Sequence, residues 1–111
     1  MKVIVYNKLV RDKIPQIIRR DNAVPIMQML THKRFLVELK KKLLEEIKES
    51  QMAKTADEVM NEIVDVLEIL QTMASIKKIT WGRIERERGD KLKKRGGFKK
   101  KLFLKSVKQL D

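Results

Sequence analysis

The stretch LLEEIKESQMAKTADEVMNEIVDVLEIL, residues 43–70, decides the fold of this chain. Apolar residues recur in it at spacings of three and four, which predicts two amphipathic helices. Between them, Thr55 and Glu58 stand three residues apart and fit a capping box, so the second helix should begin at this threonine. Because only a short polar turn joins the two helices, we expect them to run antiparallel and to pack against each other.

The sequence before this helical pair predicts a short helix and the start of a long one. Asp12 as N-cap, followed by a proline in the first turn, indicates a helix that ends near Arg20. Thr31 is the expected N-cap of the first long helix, which should run to about Met52. Residues 2–6 are apolar and predict an extended lead-in or a single edge strand.

The sequence after the capping box predicts a central helix and a charged one. The central helix should run to about Lys77, and its apolar arc is wide enough for packing on several sides. A last helix is expected from Trp81 to about Arg95, where a Gly-Gly pair ends it. The pattern predicts an all-α protein, an antiparallel bundle of three to four helices with short extended terminal segments. Its length of 111 residues fits a single domain, residues 1–111.

The composition narrows the class of partner. The chain carries 27 Lys and Arg against 15 Asp and Glu, a net charge of +12. That balance predicts a polyanionic partner, or else the charge-rich surface of a heat-adapted protein. The absence of cysteine and the single histidine exclude disulfides, thiolate zinc sites and multi-histidine sites. No apolar run approaches the ~20 residues that span a bilayer, so we expect a soluble cytoplasmic protein without a membrane partner.

Five carboxylates in the helical pair are the candidate chemistry. Glu45, Glu46 and Glu49 belong to the first helix, and Glu62 and Asp65 belong to the second. At about 100° per residue, each helix presents a pair of acids three residues apart at the border of its apolar face. Oxygen ligands without His or Cys favour Mg²⁺, with Mn²⁺ as the alternative. From the wheel alone, solvated acids that pair with nearby lysines are an equal explanation.

Three segments resemble one enzyme superfamily. Glu45-Glu46-x-x-Glu49, a gap of 12 residues and Glu62-x-x-Asp65 resemble the signature of the all-α nucleotide pyrophosphohydrolases. The segments YNKLVRDKIP, residues 6–15, and KRGGF, residues 94–98, resemble its MazG-like, phosphoribosyl-ATP pyrophosphohydrolase-like branch. The resemblance implies a Mg²⁺-dependent hydrolase that cuts a nucleoside triphosphate between the α and β phosphates. It further implies a homodimer or homotetramer.

The resemblance also implies roles for the acids. Glu46, Glu49, Glu62 and Asp65 would hold the metal ion, and Glu45 would orient or deprotonate the attacking water. Basic residues outside the motif are assigned to the substrate. Lys8, Arg11 and Lys13 precede or open a helix and are assigned to the phosphate chain. Lys91, Lys94 and Arg95 are assigned to the pyrophosphate end. The alternatives are ordinary surface charges and, for the last three, interaction with the helix C-terminus.

A basic helical nucleic-acid-binding protein is the alternative function. The net charge and the tail Lys99-Lys100-Lys101 support it. Against it, the basic residues are spread along the chain, and the acid cluster would repel phosphates unless a metal ion were bound.

Overall fold

The computed structural model describes residues 2–110. Within that range the chain forms four helices and no strand, which confirms the all-α class. The helices are α1 (Ile14–Arg20), α2 (His32–Ser50), α3 (Ala56–Ile76) and α4 (Trp81–Arg95). The chain divides into two compact units, one up to Lys78 and the other from Ile79 onward. The single-domain organisation stays a prediction.

Helices α2 and α3 form the helical hairpin that positions the acids. Their connection spans only residues 51–55, and the two helices pack against each other. The Thr55 hydroxyl accepts a hydrogen bond from the backbone N–H of Glu58 at 3.2 Å and donates one to its Oε1 at 3.0 Å. The predicted capping box is therefore confirmed, and it fixes where α3 begins. Thr31 caps α2 in the same way, by accepting a bond from Arg34 N–H at 3.3 Å.

The prediction that Asp12 is the N-cap of α1 was wrong. The N-cap residue is Lys13, and its side chain makes no capping hydrogen bond. A turn in which Ile14 N–H donates to the Arg11 carbonyl at 3.1 Å precedes the helix. This turn already satisfies one of the N–H groups that a capping side chain would serve. The proline in the first turn is confirmed, and residues 2–6 form a lead-in rather than a strand.

The hairpin covers only one face of α3. Leu39 of α2 and Ile69 of α3 are buried. Ala74 is buried as well, and Val66, Met73 and Ile76 are half-buried. Six other large apolar residues of the helix, which we call the outer face of α3, are exposed: Val59, Met60, Ile63, Val64, Leu67 and Leu70. Ile63 keeps 59 % of its surface and Val64 keeps 53 %. The wide apolar arc predicted from the sequence is present, and the six residues of the outer face keep 38–59 % of their surface exposed.

The second unit contains α4 and the C-terminal tail. The Thr80 hydroxyl accepts a hydrogen bond from Arg83 N–H at 3.2 Å and caps the helix. Gly96 ends it as predicted, with a φ of 78° that favours glycine, while its N–H donates to the Leu92 carbonyl at 2.9 Å. Residues 98–110 that follow are exposed.

A search of the described helices finds none with the combination of length and apolar character that a membrane span requires.

Candidate divalent-cation site

Three of the predicted acids converge where the hairpin turns. Glu46 and Glu49 lie near the C-terminal end of α2, and Glu62 lies in the second turn of α3. One carboxylate oxygen from each lies within 4.8 Å of those of the other two. The spacing of three on α2 puts its two acids on one face, and the short connection brings the start of α3 alongside them. We call these three residues the acid triad.

Burial gives Glu46 and Glu62 a property that surface acids lack, whereas Glu49 is exposed. Glu46 is only 7 % exposed, and no other charged residue is buried within residues 2–110. Its Oε2 and the Oε2 of Glu62 are both buried without a hydrogen-bond partner in residues 2–110. A buried carboxylate oxygen without a partner is costly, because it has lost its hydration and gained nothing in return. A proton or a cation would remove that cost.

The electrostatics of the triad favour positive charge at Glu46. Burial, the largest cause, and the negative charges of Glu49, Asp65 and Glu62 together raise the pKa of the Glu46 carboxyl to about 7. Lys42 opposes the shift, with its Nζ 4.0 Å from Glu46 Oε1. One half-buried lysine at that distance does not neutralise the group, so the triad retains an unbalanced negative charge.

Asp65, the fourth predicted metal ligand, lies outside the triad and is paired. Arg11 donates a hydrogen bond from Nη2 to Asp65 Oδ1 at 2.7 Å. The charge of Asp65 nevertheless acts on Glu46, as its contribution to the raised pKa shows. The structure therefore brings Glu46, Glu49 and Glu62 together and leaves Asp65 beside them with a cation of its own.

Glu45, the predicted catalytic residue, is likewise held by basic side chains. Its Oε1 lies 3.7 Å from Lys8 Nζ, and its Oε2 lies 3.6 Å from Lys42 Nζ. The side chain is about one-third exposed, so a water molecule can reach it.

A cleft opens directly from the triad. Its volume is about 330 Å³, and its lining residues are Glu49, Met52, Ala53, Glu58, Asn61 and Glu62. Because two of them belong to the triad, a molecule in the cleft would lie against the acids. The volume is at the lower end of the range for small-molecule sites.

The other predicted substrate residues are exposed basic side chains. Lys13 is exposed and forms no ion pair within the described residues. Lys91, Lys94 and Arg95 are exposed on α4 in the second unit. Their assignment to the substrate stays a prediction.

Sequence reasoning offered pairing with nearby lysines as an alternative but did not find the long-range ion pairs of this site. The pairing of Arg11 with Asp65 joins residues 54 positions apart, and no local pattern could have shown it. The pairing of Lys42 could have been predicted, because Lys42 precedes Glu45 by three positions and Glu46 by four. Side chains at both spacings are neighbours on a helix.

Fold and site together define an all-α protein with a candidate oxygen-ligand site for a divalent cation. Comparison of the chain with protein-family models, curated proteins and solved structures finds no match. The family resemblance carried by the three sequence segments therefore remains a prediction.

Proposed function

We propose that the protein is a Mg²⁺-dependent nucleotide pyrophosphohydrolase that cleaves a nucleoside triphosphate between its α and β phosphates. One observation supports the proposed dependence on a metal ion. Three carboxylates from two helices meet within 4.8 Å, and the buried oxygens of Glu46 and Glu62 have no partner within the described residues. The nucleotide part is supported by the resemblance of the acid motif and by the net charge of +12.

The residues present fit Mg²⁺, with Mn²⁺ as the alternative. All donors are carboxylate oxygens, which hard cations prefer, and a cleft beside them leaves room for water and phosphate oxygens. Glu46, Glu49 and Glu62 would hold the ion, with Asp65 as the fourth ligand once its pairing with Arg11 is broken. A magnesium ion bound there supplies Lewis-acid polarisation of phosphate oxygens and a lowered pKa of bound water.

The surrounding side chains would orient the reactants. Glu45, reachable from solvent and fixed by two lysines, would orient the attacking water or accept its proton. Lys8, Arg11 and Lys13 would neutralise the phosphate chain from the N-terminal segment.

The test is an assay of pyrophosphate release by the full chain. Wild type, Glu62→Gln and Glu68→Gln are incubated with Mg²⁺ and a panel of nucleoside triphosphates. We expect release by wild type and by Glu68→Gln, since Glu68 is an exposed residue of the same helix outside the triad. We expect none from Glu62→Gln or after chelation. A folded wild-type protein that releases no pyrophosphate from any nucleotide overturns the proposal.

We also propose that the chain assembles as a homodimer or homotetramer through the outer face of α3. Six large apolar residues lie on that face within an arc of about 140° on a helix of 100° per residue. A continuous apolar stripe is what a helix buries against another helix. Pairing two hairpins through this stripe would make a four-helix bundle and leave the acid triad, which lies on the other side of α3, accessible.

The basic tail favours nucleic-acid binding as the second candidate function. Lys99, Lys100 and Lys101 are exposed and have no acidic neighbour in sequence before the end of the described chain. An affinity for DNA or RNA that falls steeply with salt and ignores chelator would support this alternative. Nucleotide binding that is lost with chelator would support the hydrolase.

A further inference from the structure

The N-terminal segment of residues 7–13 is joined to both helices of the hairpin by ion pairs. Lys8 reaches Glu45 on α2 at 3.7 Å, and Arg11 reaches Asp65 on α3 at 2.7 Å. Leu9, between these two basic residues, is half-buried and lines a small cleft against α2. The segment therefore lies along the acid side of the hairpin, and each of its two contacts ends on a carboxylate of the predicted motif.

The two ion pairs sit at different distances from the triad. Asp65 follows Glu62 by three positions on α3, so the two carboxylates share one face of the helix. Glu45 lies next to Glu46 in sequence and points away from it, as neighbours on a helix do. Arg11 thus holds the carboxylate that could turn toward a cation in the triad, while Lys8 holds one that could not.

The geometry of the Arg11 pair leaves much of its hydrogen-bonding capacity unused. A guanidinium has five N–H donors in a planar fork. Arg11 uses one of them on Asp65, and no other hydrogen bond from its side chain forms within the described residues. Its side chain is 57 % exposed. Once it is released from Asp65, the whole planar fork can take a phosphate in a two-point contact, the recognition that arginine provides and lysine does not.

We propose that Arg11 is a positioning residue that holds Asp65 until a divalent cation in the acid triad takes that carboxylate, and that the released guanidinium then binds a phosphate of the substrate. The inference rests on the proposed function of the triad and adds an order of events to it. The cation binds first, and the phosphate contact becomes available only afterwards. Substrate binding and cation binding are then coupled through one side chain.

Competition for Asp65 has a consequence that a purely structural ion pair lacks. If Arg11 must give up Asp65, removing its charge makes cation binding tighter. If Arg11 only braces the site, removing it leaves cation binding unchanged or weaker. Arg20 is the matched control, because it is also an exposed arginine of the first unit, forms no ion pair within the described residues and is assigned no part in the site.

The experiment measures Mn²⁺ binding by calorimetry on the full-length wild type, Arg11→Gln and Arg20→Gln. We expect Arg11→Gln to bind Mn²⁺ roughly two- to fivefold more tightly than Arg20→Gln, the range expected for releasing one partly exposed ion pair. In an Asp65→Asn background the same substitution should give no gain over Arg20→Gln, because the contested carboxylate is gone. Equal affinities of the two single variants overturn the inference.

A second measurement tests the phosphate contact. With Mn²⁺ saturating, a non-hydrolysable nucleoside triphosphate analogue should bind Arg11→Gln at least about tenfold more weakly than Arg20→Gln, since a charge-assisted two-point contact is lost. Undiminished binding of the analogue overturns this half of the inference. Wild-type protein that binds no Mn²⁺ contradicts the proposed function itself, whereas Mn²⁺ binding with equal affinity in both variants contradicts only the role of Arg11.

Discussion

Glu46 and Glu62 approach each other from two different helices, with carboxylate oxygens within 4.8 Å, and each keeps a buried oxygen without a hydrogen-bond partner in the described chain. Two such groups raise each other's free energy when both are charged. A fold optimised for stability alone would replace one of them. A cost in stability of this kind is expected of a cation-binding site, and it therefore supports the proposed function.

Glu62→Gln should separate stability from cation binding. Without metal, the variant should melt about 2–5 °C higher than wild type, because one repelling carboxylate is removed. With Mg²⁺ or Mn²⁺ at about 100 times the dissociation constant, wild type should gain about 2.7 kcal/mol while the variant gains little. Thermal melts with and without chelator measure both effects. Glu68→Gln, which changes an exposed acid of the same helix, should behave as wild type.

The raised pKa of Glu46 predicts how stability depends on pH. Its ordinary value is 4.5 and its value in the folded chain is about 7. Between these values the folded state binds more protons than the unfolded state, so the free energy of unfolding should fall as pH rises. The metal-free protein should therefore be more stable at pH 5 than at pH 8. Urea titrations in chelator measure this difference.

Two conditions should abolish that pH dependence or reduce it. Glu46→Gln removes the titrating group, and a saturating divalent cation keeps the carboxylate charged and satisfied. Glu68→Gln should preserve the dependence. A wild-type stability that rises from pH 5 to pH 8 in chelator would contradict the assignment to Glu46.

Ile63→Asp should disrupt assembly through the outer face of α3. The residue is at the centre of the exposed apolar stripe, and a charge there cannot be buried against a second helix without a large cost. Light scattering should show a smaller species than for wild type at the same concentration. Glu87→Lys, a charge change on exposed α4, is the control. Should wild type itself be monomeric at high concentration, the proposed interface is wrong.

Thr55→Ala should destabilise the hairpin by about 1 kcal/mol, the usual cost of losing an N-cap hydroxyl. The hydroxyl both accepts from Glu58 N–H and donates to its carboxylate, so two hydrogen bonds disappear. Denaturant unfolding measures the loss. Thr55→Ser, which keeps the hydroxyl, should stay within a few tenths of a kcal/mol of wild type.

The local part of the fold could be predicted because its signals lie within a few residues. The threonine caps at Thr31, Thr55 and Thr80 and the glycine after α4 each depend on contacts three to four positions apart. The boundaries of α2, α3 and α4 followed from them. Asp12 is not the N-cap because a backbone turn at Arg11 satisfies one of the N–H groups that a capping side chain would accept from. A sequence pattern does not show which of these two hydrogen-bonding arrangements forms.

The site could be predicted only as far as helix geometry reaches. Glu46, Glu49 and Glu62 followed from their positions on two wheels and from the short connection between α2 and α3. The ion pair of Asp65 could not be predicted, because its partner is an arginine 54 positions away in sequence. The exposure of Ile63 also escaped prediction, since periodicity shows that a face is apolar but not whether the same chain covers it.

If the proposed assembly forms, the exposed outer face of α3 links the abundance of this protein to its conformation. A chain whose apolar side chains are buried by a second copy draws part of its folding free energy from that contact. By mass action, its melting temperature should then climb as the protein is concentrated and drop on dilution. In a cell, the rate of synthesis would set both the number of molecules and the fraction of them that is folded.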